Sequence, residues 1–119
     1  MISEGDIVIF RFPKTDLGTG KLRPALLLKK IPNEFHDWLV CMITTQLHQQ
    51  IKRFEVIIAE TDEGFQGTGL KQSSLIRISR LAVVDKSVFE GKLGVLPPDV
   101  FTECRQLFSS WLNNSGHEQ

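Results

Sequence analysis

The 119-residue sequence has no apolar run approaching the roughly 20 residues that a membrane-spanning helix needs, no tyrosine, two cysteines and no net formal charge. The first absence excludes a helical membrane protein. The opening, MISEGDIVIFRF, sets acids before its apolar stretch where a secretory leader would carry bases, so a cytoplasmic protein is expected. Two cysteines make no disulfide framework or metal site. Cys41 falls in an apolar strand-like run and Cys104 on the apolar stripe of a predicted helix, and both fit buried free thiols. A neutral chain does not grip nucleic acid by bulk electrostatics alone. Hydrophobic residues make up 41% and charged ones 24%, an ordinary balance for one folded domain at this length. That domain is expected to span 1–119, structured over about 5–112 with a polar tail at 113–119, and no repeat or low-complexity segment interrupts it.

The charges that are present are unevenly placed. Arg11, Lys14, Lys21, Arg23, Lys29 and Lys30 face the single acid Asp16, whereas Glu55, Glu60, Asp62 and Glu63 run with no base among them. Such a split fits one phosphate-facing and one opposing surface, and equally fits ordinary solvated faces. Apolar runs bounded by turn residues predict strands over DIVIFRF, RPALLLKK, WLVCMITTQ and RFEVIIAE. SSLIRISRLAVVD adds one or two more, with a kink near Arg80, and KLGVL a short returning strand. PKTDLGTGK, IPNEFHD and TDEGFQGTG are turn-rich connections, and KSVFEG a single helical turn. From Pro97 the period becomes 3.6: Val100, Phe101, Cys104, Leu107, Phe108, Trp111 and Leu112 form one stripe, with prolines and Asp99 at the helix start. Short strands followed by one amphipathic helix predict a mainly β (α+β) fold. It should be a strongly bent sheet or partly open barrel with the helix packed on it.

The stretch KLRPALLLKK poses a sharper question. Its apolar run reads as a strand buried on both faces, where a charge is costly unless paired or met by a charged ligand, and Arg23 stands at its threshold. Thr44 and Thr45 stand where the third strand turns polar, and Arg77 interrupts SSLIRISRL. Each also has a plain structural reading. Arg23 could pair with Asp6 or Asp37 at the surface, the threonines could be ordinary β-branched strand residues, and Arg77 could point outward from an edge strand.

Three segments in order, GDIVIFRFPKTDLGTGKLRPALLL, CMITTQ and SLIRISRLAVVDKSVFEGKLGVLPPDVF, resemble the MazF/PemK family of toxins from bacterial toxin–antitoxin pairs, over about Gly5 to Leu112. The most specific pieces are the G-D-I-V opening, the R-P before an aliphatic strand, the I-T-T-Q strand end, and D-K-S followed by K-L-G and the final helix. The resemblance implies a compact SH3-like barrel of the MazF/PemK/CcdB type with a C-terminal amphipathic helix. It further implies a homodimer, cleavage of single-stranded RNA at short sequences without metal or cofactor, and an antitoxin that blocks the cleft. By the same resemblance Arg23 and Thr44 fall on active-site positions, with Thr45 an adjacent second candidate and Arg77 a third catalytic one. Some members follow the arginine matching Arg77 with an aspartate two residues on, as an acid–base pair. Here Ser79 stands in that place, and serine is no general base at neutral pH. His48 is a candidate substitute, histidine being the residue type used for proton transfer near neutral pH.

These residue types suit the implied chemistry. Metal-free cleavage uses the ribose 2′-hydroxyl as nucleophile, leaving a cyclic phosphate and a free 5′-hydroxyl, so the protein adds geometry, charge stabilisation and proton transfer. Arginine offers phosphate a rigid fork of donors, and threonine a small hydroxyl. RNA contacts are expected from Lys14 and Lys21 in the first loop and from Thr45, Gln46 and His48 beyond the third strand. With no tyrosine, and tryptophans placed for packing, base choice would rest on amides and backbone groups. Two alternatives stay open: a non-catalytic toxin of the CcdB type that traps DNA gyrase, against which R-P and I-T-T-Q speak, and a binding module that has lost catalysis.

Overall fold

The computed structural model describes residues 1–11 and 20–114. Lys14, most of the PKTDLGTGK loop and residues 115–119 of the expected tail lie outside them. Within the described residues the chain forms β1 (Asp6–Arg11), β2 (Leu22–Lys30), β3 (Asp37–Thr44), β4 (Val56–Ile58), β5 (Ser74–Asp85) and β6 (Gly91–Val95). Helix α1 (Pro98–Asn113) follows, and short 3₁₀ turns occupy Leu47–Gln49, Phe65–Thr68 and Lys86–Val88. The strands make one antiparallel sheet in the order β4-β5-β3-β2-β1-β6, curled into a half-barrel. This is the mainly β architecture with one terminal helix that the sequence predicts.

The period of two explains how so small a sheet buries apolar residues on both faces. Along β2, Leu26 and Leu28 enter one cluster with Ile7, Cys41, Ile43, Ile76 and Ile78, which α1 covers through Cys104, Leu107 and Phe108. Ala25 and Leu27 point the other way, to Val8, Phe10, Trp38 and Val40. All four β2 residues are at most 4% exposed, as expected of a strand buried on both faces. Helix α1 begins with Pro98 at its first position and Asp99 in the first turn, while Pro97 gives no side-chain cap.

Irregularities bend the sheet where the functional residues lie. Between the pairs Met42↔Arg77 and Cys41↔Leu81, β3 advances by one residue and β5 by four, so Ile78, Ser79 and Arg80 form a bulge. That is the kink expected near Arg80. Shifts also occur at Leu28 against β3 and at Leu93 against β1.

Two expectations need correction. RFEVIIAE contributes only Val56–Ile58 as strand, because Arg53 takes a left-handed φ of 68° and the N–H groups of Phe54 and Glu55 both donate to the Ile51 carbonyl, at 3.2 and 2.9 Å. At its far end Asp62 accepts the Ala59 N–H at 2.8 Å. WLVCMITTQ stops at Thr44, whose hydroxyl accepts the Gln46 N–H at 3.2 Å and turns the chain. The helical stripe is not buried throughout: Trp111 and Leu112 are 54% and 61% exposed, Trp111 resting on Phe54 and Phe108 with ring centres 5.5 and 6.1 Å away.

The Phe65–Thr68 turn is pressed against β6. A Cβ on Gly94 would fall 2.2 Å from the Gly67 carbonyl oxygen, and one on Gly69, at φ +74°, 2.2 Å from that of Leu93. Gly94→Ala is expected to lower the unfolding free energy by about 1–3 kcal/mol, as overpacking does. Gly67→Ala, with nothing within 4 Å of its added carbon, should stay within about 0.5 kcal/mol of wild type. Urea unfolding of both checks this, and equal stabilities would contradict the close approach.

Candidate functional site

Strand register brings the predicted residues together. Ala25 pairs with Met42, and Met42 with Arg77, so these three share one face of the sheet. Two residues further along the same face lie Arg23 on β2 and Thr44 on β3. The β2–β3 ladder ends at Ala25↔Met42, beside Pro24, which has no N–H to extend it. Beyond that point a cleft of about 460 Å³ opens between Arg23, Pro24, Thr44, Thr45 and Gln46 on one side and Leu70, Lys71 and Gln72 on the other. A second, of about 570 Å³, continues from Arg23, Thr44 and Gln46 towards Lys21, Gln49, Arg77 and Arg80. Both fall within the size range of small-ligand sites, about 300–1,000 Å³.

Charge inside these joined clefts is one-sided. Lys21, Arg23, Lys71, Arg77 and Arg80 line them, and among the described residues no aspartate or glutamate does. The other described bases of the Arg11–Lys30 run are paired elsewhere. Arg11 meets Glu90 at 3.4 Å, Lys29 meets Glu4 at 3.6 Å, and Lys30 Nζ donates to the carbonyls of Ile31 and Phe35. Among the described residues the Arg23 guanidinium makes no hydrogen bond or ion pair. Its plain reading fails, because Asp6 is taken by Lys92 at 3.2 Å and Asp37 accepts from Asn33 at 3.2 Å. Thr44 Oγ1 is an acceptor for Gln46, which leaves its own proton to donate into the cleft.

Arg77 is placed differently. β5 lies between β4 and β3, so the outward-pointing edge residue is not what the structure holds. The side chain is 11% exposed and bound on several sides. Its Nε lies 3.3 Å from both carboxylate oxygens of Glu55. Nη1 donates to Gln49 Oε1 at 2.8 Å, and Nη2 to the Gln49 carbonyl at 3.3 Å and Ser79 Oγ at 3.5 Å. Glu55 itself is 3% exposed and also accepts from the Ile51 N–H at 3.0 Å, the Ser79 N–H at 3.1 Å and the Ser79 hydroxyl. Burial alone would push this carboxyl up. The Ser79 hydroxyl, the Ile51 N–H, the Arg77 guanidinium and the Ser79 N–H outweigh it and hold the pKa below the ordinary glutamate value.

Of the remaining expected residues, Lys21, Thr45 and Gln46 line the clefts, Lys14 lies outside the described residues, and His48 is exposed in the lining of neither cleft. Lys71, Arg80 and Glu55 were not singled out from the sequence. As cleft residues Lys71 and Arg80 carry no signal beyond charge, and Glu55 belongs to an acidic run of which it is the one buried member. Cys41 and Cys104 are buried free thiols, and burial pushes both up, Cys104 to about 12, which leaves them poor nucleophiles. Among the described residues no group of three or more histidine, cysteine or carboxylate side chains is placed to hold a metal ion.

Comparison with known proteins bears on the family and the fold. Residues 3–112 match the family model described as PemK-like, MazF-like toxin of type II toxin–antitoxin system. The fold is similar to that of the Mycobacterium tuberculosis toxin MazF-mt6, with 17% identity, a TM-score of 0.67, and 91% of this chain and 96% of that one covered. It is similar also to an endoribonuclease solved with its cognate antitoxin from a mycobacterial species, with 13% identity, a TM-score of 0.67, and 94% and 95% covered. A MazE–MazF structure from Deinococcus radiodurans has 25% identity, a TM-score of 0.67, and 96% and 98% covered. No curated protein matches the chain.

A carboxyl whose pKa is lowered on folding adds stability that is present above its unfolded pKa and is lost as pH falls through its folded one. Glu55→Gln should therefore cost about 1.5–3 kcal/mol at neutral pH, the worth of hydrogen bonds to a charged group, and the gap to wild type should close on acidification. Denaturant unfolding across the carboxylate range checks it. Parallel pH profiles would contradict the assignment.

Proposed function

The chain belongs to the family of PemK-like, MazF-like toxins of type II toxin–antitoxin systems, and from that premise we propose that it is a metal-independent endoribonuclease of the cytoplasm. It cuts single-stranded RNA at short sequences. One observation carries the reading: in a chain of zero net charge, the two joined clefts hold five cationic side chains, Lys21, Arg23, Lys71, Arg77 and Arg80, and no acid among the described residues. Such a surface takes a phosphate backbone.

Each step follows from what lines the clefts. Arg23 sets its free fork of N–H donors on the non-bridging oxygens of one phosphodiester, and the Thr44 hydroxyl donates to one of them without adding a competing charge. Held in line, the ribose 2′-hydroxyl attacks phosphorus and the bond to the 5′-oxygen breaks, leaving a 2′,3′-cyclic phosphate and a 5′-hydroxyl. The proton leaving the 2′-oxygen and the one gained by the 5′-oxygen are exchanged with water, since among the described residues no carboxylate lines the clefts and His48 lies outside them. Lys21 and Lys71 track neighbouring phosphates, while Gln46 and Thr45 give amide and hydroxyl groups that can read base edges.

The partners are a cognate antitoxin and a second copy of the chain. Exposed Leu81, Val83, Trp111 and Leu112 are apolar surface that such contacts would cover. Ser79 in place of an acid favours one other reading, a module that binds RNA without cutting it, and cleavage separates the two.

Purified protein incubated with a long RNA in EDTA should produce fragments with new 5′-hydroxyl ends. Arg23→Ala and Thr44→Val should each slow cleavage by about a hundredfold to a thousandfold, as loss of one preorganised donor does. Intact RNA with the wild type, or undiminished cleavage by Arg23→Ala, excludes the reading.

Affinity for an uncleavable 2′-O-methyl strand should fall with salt. Lys71→Ala should lessen the slope of log K against log salt by about 0.7, the share of one phosphate contact on a single strand. An unchanged slope would remove Lys71 from the binding path.

A further inference from the structure

Glu55 lines neither cleft, so it meets no substrate; what it meets is Arg77. β4 begins with Val56 opposite Ile76, and the same register carried back one residue sets Glu55 across from Arg77 on one face of the sheet. The contacts divide the guanidinium. Nε is held by both Glu55 oxygens, Nη2 by the Gln49 carbonyl and Ser79 Oγ, and one hydrogen of Nη1 by Gln49 Oε1. Of the five N–H donors of an arginine, one on Nη1 remains, and Arg77 lines the second cleft together with Arg23 and Thr44. A planar group tied along one edge and at one tip has a single orientation.

We propose that Glu55 is a positioning residue, a buried carboxylate that fixes the plane of Arg77 so that its remaining Nη1 donor serves the phosphodiester held by Arg23 and Thr44. The inference rests on the RNA-cleavage reading above. The required negative charge comes from the segment leading into β4 and not from β5 itself, where Ser79 is exposed beside Nη2. An aspartate in the place of Ser79 would reach the same edge of the guanidinium, since the Ser79 hydroxyl lies beside Nη2 and donates to the Glu55 carboxylate. The carboxylate can therefore be moved from one strand to the other, which a purely local packing role for Glu55 would not permit.

The test compares wild type, Glu55→Gln and Glu55→Gln/Ser79→Asp, all as full chains. Cleavage of a long RNA in EDTA is read together with proton–nitrogen NMR of the arginine Nε–H groups, Arg77 being identified by the signal missing in Arg77→Lys. Glu55→Gln should lower kcat about a hundredfold with KM changed by less than about twofold, and the Arg77 Nε–H should become fast-exchanging. The double variant should restore the protected signal and bring kcat back to within about tenfold of wild type with the shape of the wild-type pH–rate profile, whereas an aspartate acting as acid–base partner of Arg77 would add a new acidic limb. A folded Glu55→Gln with wild-type kcat overturns the proposal, as does a double variant that regains the signal without the activity. Should Glu55→Gln fail to fold by circular dichroism, the double variant decides, its activity with the wild-type pH–rate profile supporting the role, and its inactivity when folded, or a new acidic limb in that profile, overturning it. RNA left intact by wild type defeats the cleavage reading itself. The Nε–H signal of wild type against Glu55→Gln then decides alone whether Glu55 holds Arg77.

Discussion

A carboxylate taken out of water must be met by donors, and at Glu55 these come from the segments that flank the clefts. The Ile51 N–H fixes the turn before β4, the Ser79 N–H and hydroxyl fix the bulge of β5, and Arg77 ties both to the Leu47–Gln49 turn through Gln49. One buried acid thus locks three pieces of chain that share no regular ladder with one another. It is also turned away from solvent, so its charge is spent on Arg77 and does not face the clefts.

That arrangement resolves the contradiction between a neutral chain and a proposed nucleic-acid substrate. Bases that have no function in the clefts are paired on the surface, Arg11 with Glu90 and Lys29 with Glu4, while among the described residues the cleft bases have no acidic neighbour other than Glu55 beneath Arg77. Segregation of charge, and not its sum, produces the local field. Arg23 and Arg77 then differ in kind: the first has its whole fork open to a ligand, the second is held in a fixed plane with little left to give. In the proposed mechanism the free arginine grips and the tied one is held in place.

Much of the fold was legible because its signals are local. Continuous apolar runs such as ALLL and LVCMI, the Gly-rich connections and the change of period at Pro97 located five of the strands and the helix closely, and the bulge at Ile78–Arg80 was anticipated by charges breaking an apolar run. β4 was read too long because Arg53 adopts a left-handed backbone that only the folded turn stabilises. Arg23 and Thr44 could be nominated from strand ends and from family likeness, but their meeting depends on β2–β3 register, which ends just before them. Glu55 was hidden for a more basic reason. An acid among acids reads as surface, and its burial follows from a partner 22 residues away in a different strand. Lys71 was equally silent, since it reaches the cleft only because Gly69 and Gly94 let the 65–72 segment press against β6.

The central claim is that one phosphodiester sits between the Arg23 guanidinium and the Thr44 hydroxyl. The most direct measurement is an NMR titration with a single-stranded oligonucleotide that spans a mapped cleavage site and carries hydrogen in place of the 2′-hydroxyl at the scissile ribose. The largest shifts should fall on the Arg23 side chain and on the backbone amides of Thr44, Thr45 and Gln46. Shifts confined to the α1 surface around Trp111, with Arg23 and Thr44 unmoved, would contradict it.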